Sequence, residues 1–172
     1  MNNEALKWVY SPVPITFSSA FLQHCKDLIF KATDEAYPTE LIRSMPVDPL
    51  AGSFFLIPKT YSRQQAMDEL QVFGLLWSMR LDDSSSRILT FLIAEEFRGR
   101  GLASDVWTKL VETGISEGIR NVSLEVREEN DMAYEFYLRR GLQAKGKLSQ
   151  YYQQSVGVAM FGPLQRPQPQ SQ

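Results

Sequence analysis

The chain carries one cysteine, Cys25, and one histidine, His24, in 172 residues. A single thiol excludes an intrachain disulfide framework and any multi-cysteine zinc site. A single imidazole leaves no histidine-rich metal site and no spare histidine for a Ser-His-Asp triad. Charge of one sign is missing too: 18 Lys+Arg stand against 20 Asp+Glu, a formal net charge of -2. That balance argues against sequence-independent nucleic-acid binding, which needs a basic surface to displace counterions from phosphates. Long apolar runs are also absent. Ile88–Ala94 and Gln71–Met79 are the longest, far below the roughly 20 residues of a membrane helix. Residues 1–20 show no basic flank followed by an apolar run, so no secretory leader and no membrane partner are expected. A cytoplasmic protein is the expectation.

What is present is core material. At 44% hydrophobic and 12% aromatic residues the chain can bury a sizeable interior. Its length fits a single domain, expected over residues 1–164. Residues 165–172 are Gln/Pro-rich without an apolar side chain and read as a disordered tail. No internal repeat is visible.

Periodicity orders the elements. Val13–Phe17 is expected as a first strand, then a helix over Phe21–Glu35 capped by Ser18 or Ser19. A short helix follows from Tyr37-Pro38 to Arg43, then a loop over Pro46–Pro49 and a strand over Ser53–Ile57. Val72–Arg80 and Arg87–Ala94 read as strands joined by the polar turn Asp82-Asp83-Ser84-Ser85-Ser86, an antiparallel hairpin. Then come a helix over Leu102–Glu117, a strand over Val122–Arg127, a helix over Met132–Arg140 and a last strand over Gly157–Phe161. Antiparallel strands followed by one β-turn-α-β unit define an α/β (α+β) protein.

The turn Glu95-Glu96-Phe97-Arg98-Gly99-Arg100-Gly101-Leu102-Ala103 follows a strand and opens a helix. Glycines let the backbone turn tightly and bring its N–H groups against a ligand. The helix end adds a positive dipole, and Arg98 and Arg100 add charge, so a pyrophosphate is the natural guest. On these residues alone, an ordinary strand-to-helix turn remains open. A dinucleotide fingerprint would need a third glycine where Ser104 stands and an acid at a strand end, whereas Glu125 falls inside its strand. Repeated βαβ units are also lacking, so a Rossmann domain is rejected.

Arg98-Gly99-Arg100-Gly101-Leu102-Ala103 fits the R/Q-x-x-G-x-G/A signature of the GNAT acyltransferases. Val122–Asn130, Ala133-Tyr134-Glu135-Phe136-Tyr137, Gly141-Leu142, Tyr151-Tyr152 and Ala159-Met160 follow in order. The run from about Arg87 to Leu164 resembles the RimI-type and Ard1-type protein N-terminal acetyltransferases. The resemblance implies the GNAT fold: a mixed, mostly antiparallel sheet of six or seven strands flanked by about four helices. It implies acetyl-CoA as co-substrate and no metal. Arg98, Gly99, Arg100, Gly101, Leu102 and Ala103 would hold the pyrophosphate. Backbone groups of Leu92, Ile93 and Ala94 and the side chain of Asn130 would hold the pantetheine arm. Glu125 would be the general base on the incoming amine, acting through water, and Tyr137 the acid or hydrogen-bond partner at the departing sulfur. Tyr37, Tyr151 and Tyr152 would contact the acceptor.

Residue by residue, plainer roles stand beside these. Glu125 fits a solvated strand carboxylate, Tyr137 a core aromatic, Asn130 a helix N-cap and Tyr151-Tyr152 a pair of loop aromatics. His24 and Cys25 read as a surface imidazole and a buried thiol, and Trp8, Trp77 and Trp107 as core or surface anchors. The acidic residues that usually follow the tyrosine pair are absent from Gln153–Gly157. The acceptor implied is a protein or peptide N-terminal amine, with a small amine (polyamine, amino acid or aminoglycoside) as the second reading. A catalytically silent acyl-CoA-binding module is the third. A monomer or homodimer is expected.

Overall fold

The computed structural model describes residues 5–152 and 155–166, with the side chains of residues 150–152 and 155 left out. Seven strands form one sheet: β1 (Leu6–Tyr10), β2 (Phe54–Pro58), β3 (Gly74–Arg80), β4 (Ser85–Ile93), β5 (Asn121–Arg127), β6 (Gln143–Tyr152) and β7 (Ser155–Pro163). Their order is β1-β2-β3-β4-β5-β7-β6, antiparallel throughout except between β4 and β5. Five α-helices accompany them: α1 (Ser19–Thr33), α2 (Thr39–Arg43), α3 (Arg63–Asp68), α4 (Leu102–Ser116) and α5 (Asp131–Leu138).

Local chemistry explains the helix starts. Ser18 Oγ accepts from Phe21 N–H at 3.1 Å, and Ser62 Oγ accepts from Gln65 N–H at 3.1 Å. Such caps satisfy N–H groups that the helix leaves orphaned, for about 1 kcal/mol each. On α1, Phe21, Leu22, Cys25, Leu28 and Ile29 recur on one face and are buried. That face meets Phe17, Phe55 and Trp77, whose rings form a cluster with Phe21 at centroid separations of 4.8 to 6.4 Å. Full burial of each such ring contributes about 1.5–3 kcal/mol before entropy is counted. On the other face α4 covers the sheet, with Trp8 Nε1 donating to Leu102 O and Tyr10 Oη bonded to Thr113 Oγ1.

Three expectations need correction. Val13–Phe17 is not a strand. Pro14 opens a single 3-10 turn over Pro14–Thr16, since proline has no N–H for a ladder, and the first strand is β1. α3 went unforeseen, being a short amphipathic turn that buries Ala66 and Met67. β6 went unforeseen as well: every residue from Gln143 to Ser149 is exposed, so this edge strand has no buried face to write a period-2 pattern. Consequently Tyr151 and Tyr152 are the last residues of β6, where Tyr152 pairs with Ser155 of β7, and do not lie in a loop. The rest of the strand and helix order stands as expected, with boundaries shifted by a few residues.

Two irregularities position the site. β4 and β5 pair only at Ser85↔Asn121, Ser86↔Val122 and Arg87↔Ser123. Beyond that point they diverge and the sheet splits. On the β3 side, Trp77 faces Thr90 while Ser78 faces Ile88, so Leu89 is the extra residue of a bulge at the split.

Candidate active site

At the end of β4 the chain makes a 3-10 turn over Glu95–Phe97 and enters α4 through Gly101. Gly99 and Gly101 sit at φ +73° and +83°. That left-handed region carries a steric penalty for residues with a Cβ. A Cβ built at either glycine would meet nothing within 4 Å, so the hollow above the turn is open. Gly101 has no side chain to cap α4, and the N–H groups of its first turn point along the helix axis without a side-chain acceptor. These features fit a phosphate-bearing guest such as acetyl-CoA.

The motif arginines are turned elsewhere. Arg98 Nε donates to Ile93 O at 2.8 Å, and its Nη2 reaches Ala32 O at 3.4 Å, which ties the last turn of α1 to the end of β4. Arg100 donates to Glu96 O at 2.6 Å and lies 5.5 Å over the Phe97 ring. Ala94 donates its N–H to Phe73 O and accepts from Phe97 N–H, so both its backbone groups are committed inside the protein. By the alternation of an antiparallel ladder, Leu92 shares the orientation of Ala94 toward β3. Ile93 and Phe91 then turn theirs to the split, where the Ile93 carbonyl already accepts from Arg98 Nε.

The split opens into a cavity of about 410 Å³. Its walls include Leu89–Phe91 of β4, Leu124–Arg127 of β5, the end of α1 with Asp34 and Glu35, Tyr37, Asn130 and Tyr137. Thus Glu125, Asn130, Tyr137 and Tyr37, chosen from four separate stretches of sequence, line one cleft. The cleft residues of β5 follow from its pleat. Val122, Leu124 and Val126 are buried beneath the helices while Ser123, Glu125 and Arg127 face the other way.

Glu125 is not a freely solvated carboxylate: its side chain is 16% exposed and its Oε1 lies 2.8 Å from Arg87 Nη2. Across the cleft stands a second carboxylate. Glu35 accepts a hydrogen bond from the Tyr37 hydroxyl and lies 3.7 Å from Arg127 Nη2, with 15% of its side chain exposed. Burial raises the Glu35 pKa above the usual carboxylate value, against the lowering effects of Tyr37 and Arg127. Sequence reasoning missed Glu35, Arg87 and Arg127. An acid just after an amphipathic helix carries no period and no motif, so only the fold could bring it opposite β5.

Tyr137 lies on α5, 7% exposed, packed against Trp107 and Phe136 at 5.9 and 5.5 Å between ring centroids. It is both a core aromatic and a cleft residue. Burial pushes its phenol pKa up, so the hydroxyl keeps its proton and serves as a hydrogen-bond donor. Asn130 Oδ1 caps α5 by accepting from Ala133 N–H at 3.2 Å, which leaves its amide N–H groups for the cleft. The Tyr151 and Tyr152 side chains lie outside the described residues.

The remaining candidates have structural jobs. His24 Nε2 pairs with Val72 O at 2.8 Å, Cys25 is fully buried, and Trp77 Nε1 donates to Ser11 Oγ. Trp8 and Trp107 are buried too.

An uncapped helix end after one strand of a split sheet, a carboxylate on the other strand and a second carboxylate just beyond α1 suit a two-substrate group-transfer site. The sequence profile of the acetyltransferase (GNAT) family matches residues 26–142, and the chain belongs to that family. No curated protein matches the chain by sequence. Among solved structures, Ard1 from Thermoplasma volcanium is similar with a TM-score of 0.71 and 23% identity, over 94% of this chain and 99% of that one. Arabidopsis thaliana NAA60 in complex with acetyl-CoA gives a TM-score of 0.64 at 18% identity, over 91% and 98% of the two chains. A spermidine N-acetyltransferase SpeG chimera from Vibrio cholerae and hSSAT gives 0.65 at 14% identity, over 93% and 96%. At these identities the likeness is one of fold.

Proposed function

We propose that this protein transfers an acetyl group from acetyl-CoA directly to an amine, and that the acceptor is the N-terminal α-amine of a protein or peptide. The observation that carries the reading is the split between β4 and β5, with an open glycine turn following β4 and two protected carboxylates lining the cavity. Acetyl-CoA supplies the activated acyl group as a thioester. The α4 turn holds its pyrophosphate through the N–H groups of Gly99–Ala103, and Ile93 and Asn130 hold its arm.

The acceptor enters from the α1 side, guided by Tyr37 and by Tyr151 and Tyr152. Glu125, salt-linked to Arg87, attracts the ammonium by charge. Glu35, whose proton affinity burial raises, takes the proton, directly or through a water. A raised proton affinity suits a base that must act near neutral pH. An α-amine with pKa about 7.7–8 is partly neutral at physiological pH, whereas lysine near 10.4 is almost fully protonated. A carboxylate base therefore suits the α-amine. Tyr137 steadies the departing sulfur with its protonated hydroxyl. Catalysis comes from positioning and proton removal, with no covalent enzyme intermediate. The protein works in the cytoplasm, as a monomer or homodimer; among the described residues no helix is long and apolar enough to cross a membrane.

The test is mass spectrometry of a mixed peptide set incubated with acetyl-CoA. Acetylation at N-termini is expected; acetylation confined to lysine side chains sinks the α-amine reading. Glu35→Gln should lower kcat by about 10²-fold or more. Glu125→Gln should act mainly on the acceptor KM. If Glu125→Gln instead removes kcat and Glu35→Gln leaves it intact, the base is Glu125.

One observation favours the small-amine reading. Asp34, Glu35, Glu125 and Glu129 all line the cleft, a concentration of acid that attracts polycations. A panel of polyamines, amino acids and peptides with a thiol-release readout separates the two acceptors. CoA binding without thiol release from any acceptor would leave the silent module.

A further inference from the structure

Arg98 bonds to the carbonyls of Ile93 and Ala32 and Arg100 to that of Glu96, so a further cation beside the open cradle would help to hold a multiply charged donor. It comes from α5. Arg140, two residues beyond that helix, sends Nη2 to Ser104 Oγ at 2.8 Å and Nη1 to Phe136 O at 3.0 Å. Ser104 is the third residue of α4, three positions past Gly101. The Arg140 guanidinium thus stands beside the first turn of the helix whose N–H groups form the cradle.

Its plane is fixed by aromatic rings. The guanidinium carbon lies 3.3 Å from the Phe136 ring centroid and 5.9 Å from that of Trp107. A stacked guanidinium loses little freedom on binding, and its planar fork matches phosphate oxygens. Of its five N–H donors the two bonds above occupy two, so three remain.

The placement is electrostatically adverse without an anion. The N-terminus of a helix is its positive end, and Arg139 adds another cation next door. Among the described residues no carboxylate forms an ion pair with Arg140. Burial and the Arg139 charge both pull its pKa below the ordinary guanidinium value. A partly buried cation set against a positive dipole is what a phosphate site presents before its guest arrives.

We propose that Arg140 is a donor-binding residue, gripping a phosphate of the nucleotide end of CoA at the first turn of α4. The proposal rests on acetyl-CoA being the donor. It also gives α5 a second task, since the helix that carries Tyr137 and Asn130 to the arm of the donor then holds its phosphate as well. The donor's diphosphate and its 3′-phosphate are the two groups of this chemistry, and the probes below tell them apart.

Arg140→Met keeps the apolar stem over Phe136 and removes the charge; Arg140→Lys restores charge without the fork. Calorimetric titration with CoA and with 3′-dephospho-CoA reads binding directly, and the KM for S-acetylpantetheine reads the phosphate-free part of the site. CoA affinity should fall at least ten-fold in Arg140→Met and recover partly in Arg140→Lys, while the S-acetylpantetheine KM stays put. If 3′-dephospho-CoA binds both proteins alike, the 3′-phosphate is the group held; if it weakens in step with CoA, the diphosphate is. A loss of CoA affinity smaller than ten-fold overturns the proposal. So does an equal rise in the S-acetylpantetheine KM, which would mark Arg140 as a strut between α4 and α5. Failure of the wild-type protein to bind CoA would overturn the acetyl-CoA reading instead.

Discussion

Cys25 and Tyr137 are both buried side chains with raised pKa values, yet they differ in what burial does for function. Cys25 is 0% exposed on the inner face of α1, and desolvation alone pushes its thiol up. The thiolate is the reactive form, so the native thiol should resist a disulfide exchange reagent at neutral pH and react once per chain in guanidinium. Rapid labelling of the native protein would contradict the packing of α1. Tyr137 borders the cleft, and its raised pKa keeps the hydroxyl protonated through the whole neutral range. The sign follows: deprotonation of Tyr137 lies far on the basic side, so no loss of kcat from this group is expected up to about pH 10. Tyr137→Phe should lower kcat by about 10²-fold while CoA affinity holds, because the ring contacts with Trp107 and Phe136 survive. An unchanged kcat would reduce Tyr137 to its core role.

At the scale of elements, the turn into α4 was legible because its chemistry is local. Two glycines, two arginines and a following amphipathic run lie within ten residues, and the left-handed φ values explain the glycines. Gly101→Ala separates strain from binding. Its Cβ meets no protein atom, so the cost to the fold is the conformational penalty of about 1 kcal/mol. For a domain of this size that is a fall in Tm of roughly 2–4 °C. CoA affinity should fall further than this strain accounts for, since the new methyl enters the cradle; calorimetry and a melting curve on the same variant decide. Equal affinity in the variant would place the phosphate elsewhere. By contrast, β6 and α3 left no readable signal. An edge strand exposed on both faces and a six-residue helix bury too little to write a pattern.

At the scale of the molecule, the sheet is two parts joined at one end. β1 to β4 and β5 to β7 share only three paired positions, up to Arg87↔Ser123, before the cleft separates them. A donor lying in that split contacts both parts, so it should stabilise the folded state by mass action. At a concentration about 100-fold above Kd the gain is about 2.7 kcal/mol, visible as a rise in Tm with CoA. Hydrogen exchange should slow in β4 and β5 together. A Tm that ignores CoA would mean that the cleft is not the donor site.

The sequence by itself determined the order of most elements, the glycine turn and the strand-helix pair bearing Glu125, Asn130 and Tyr137. Those depend on periodicity and on contacts between near neighbours, which a linear reading can follow. Tertiary structure alone decided that Arg87 grips Glu125, that Glu35 from beyond α1 meets Arg127 of β5 at the same cleft, and that Arg140 reaches Ser104. These partners sit on different elements, and no pattern along the chain encodes their distance. Even the meaning of the scarce residues was settled there. One cysteine and one histidine excluded other chemistries by count, but only packing showed that Cys25 is core and that His24 is spent on a backbone carbonyl.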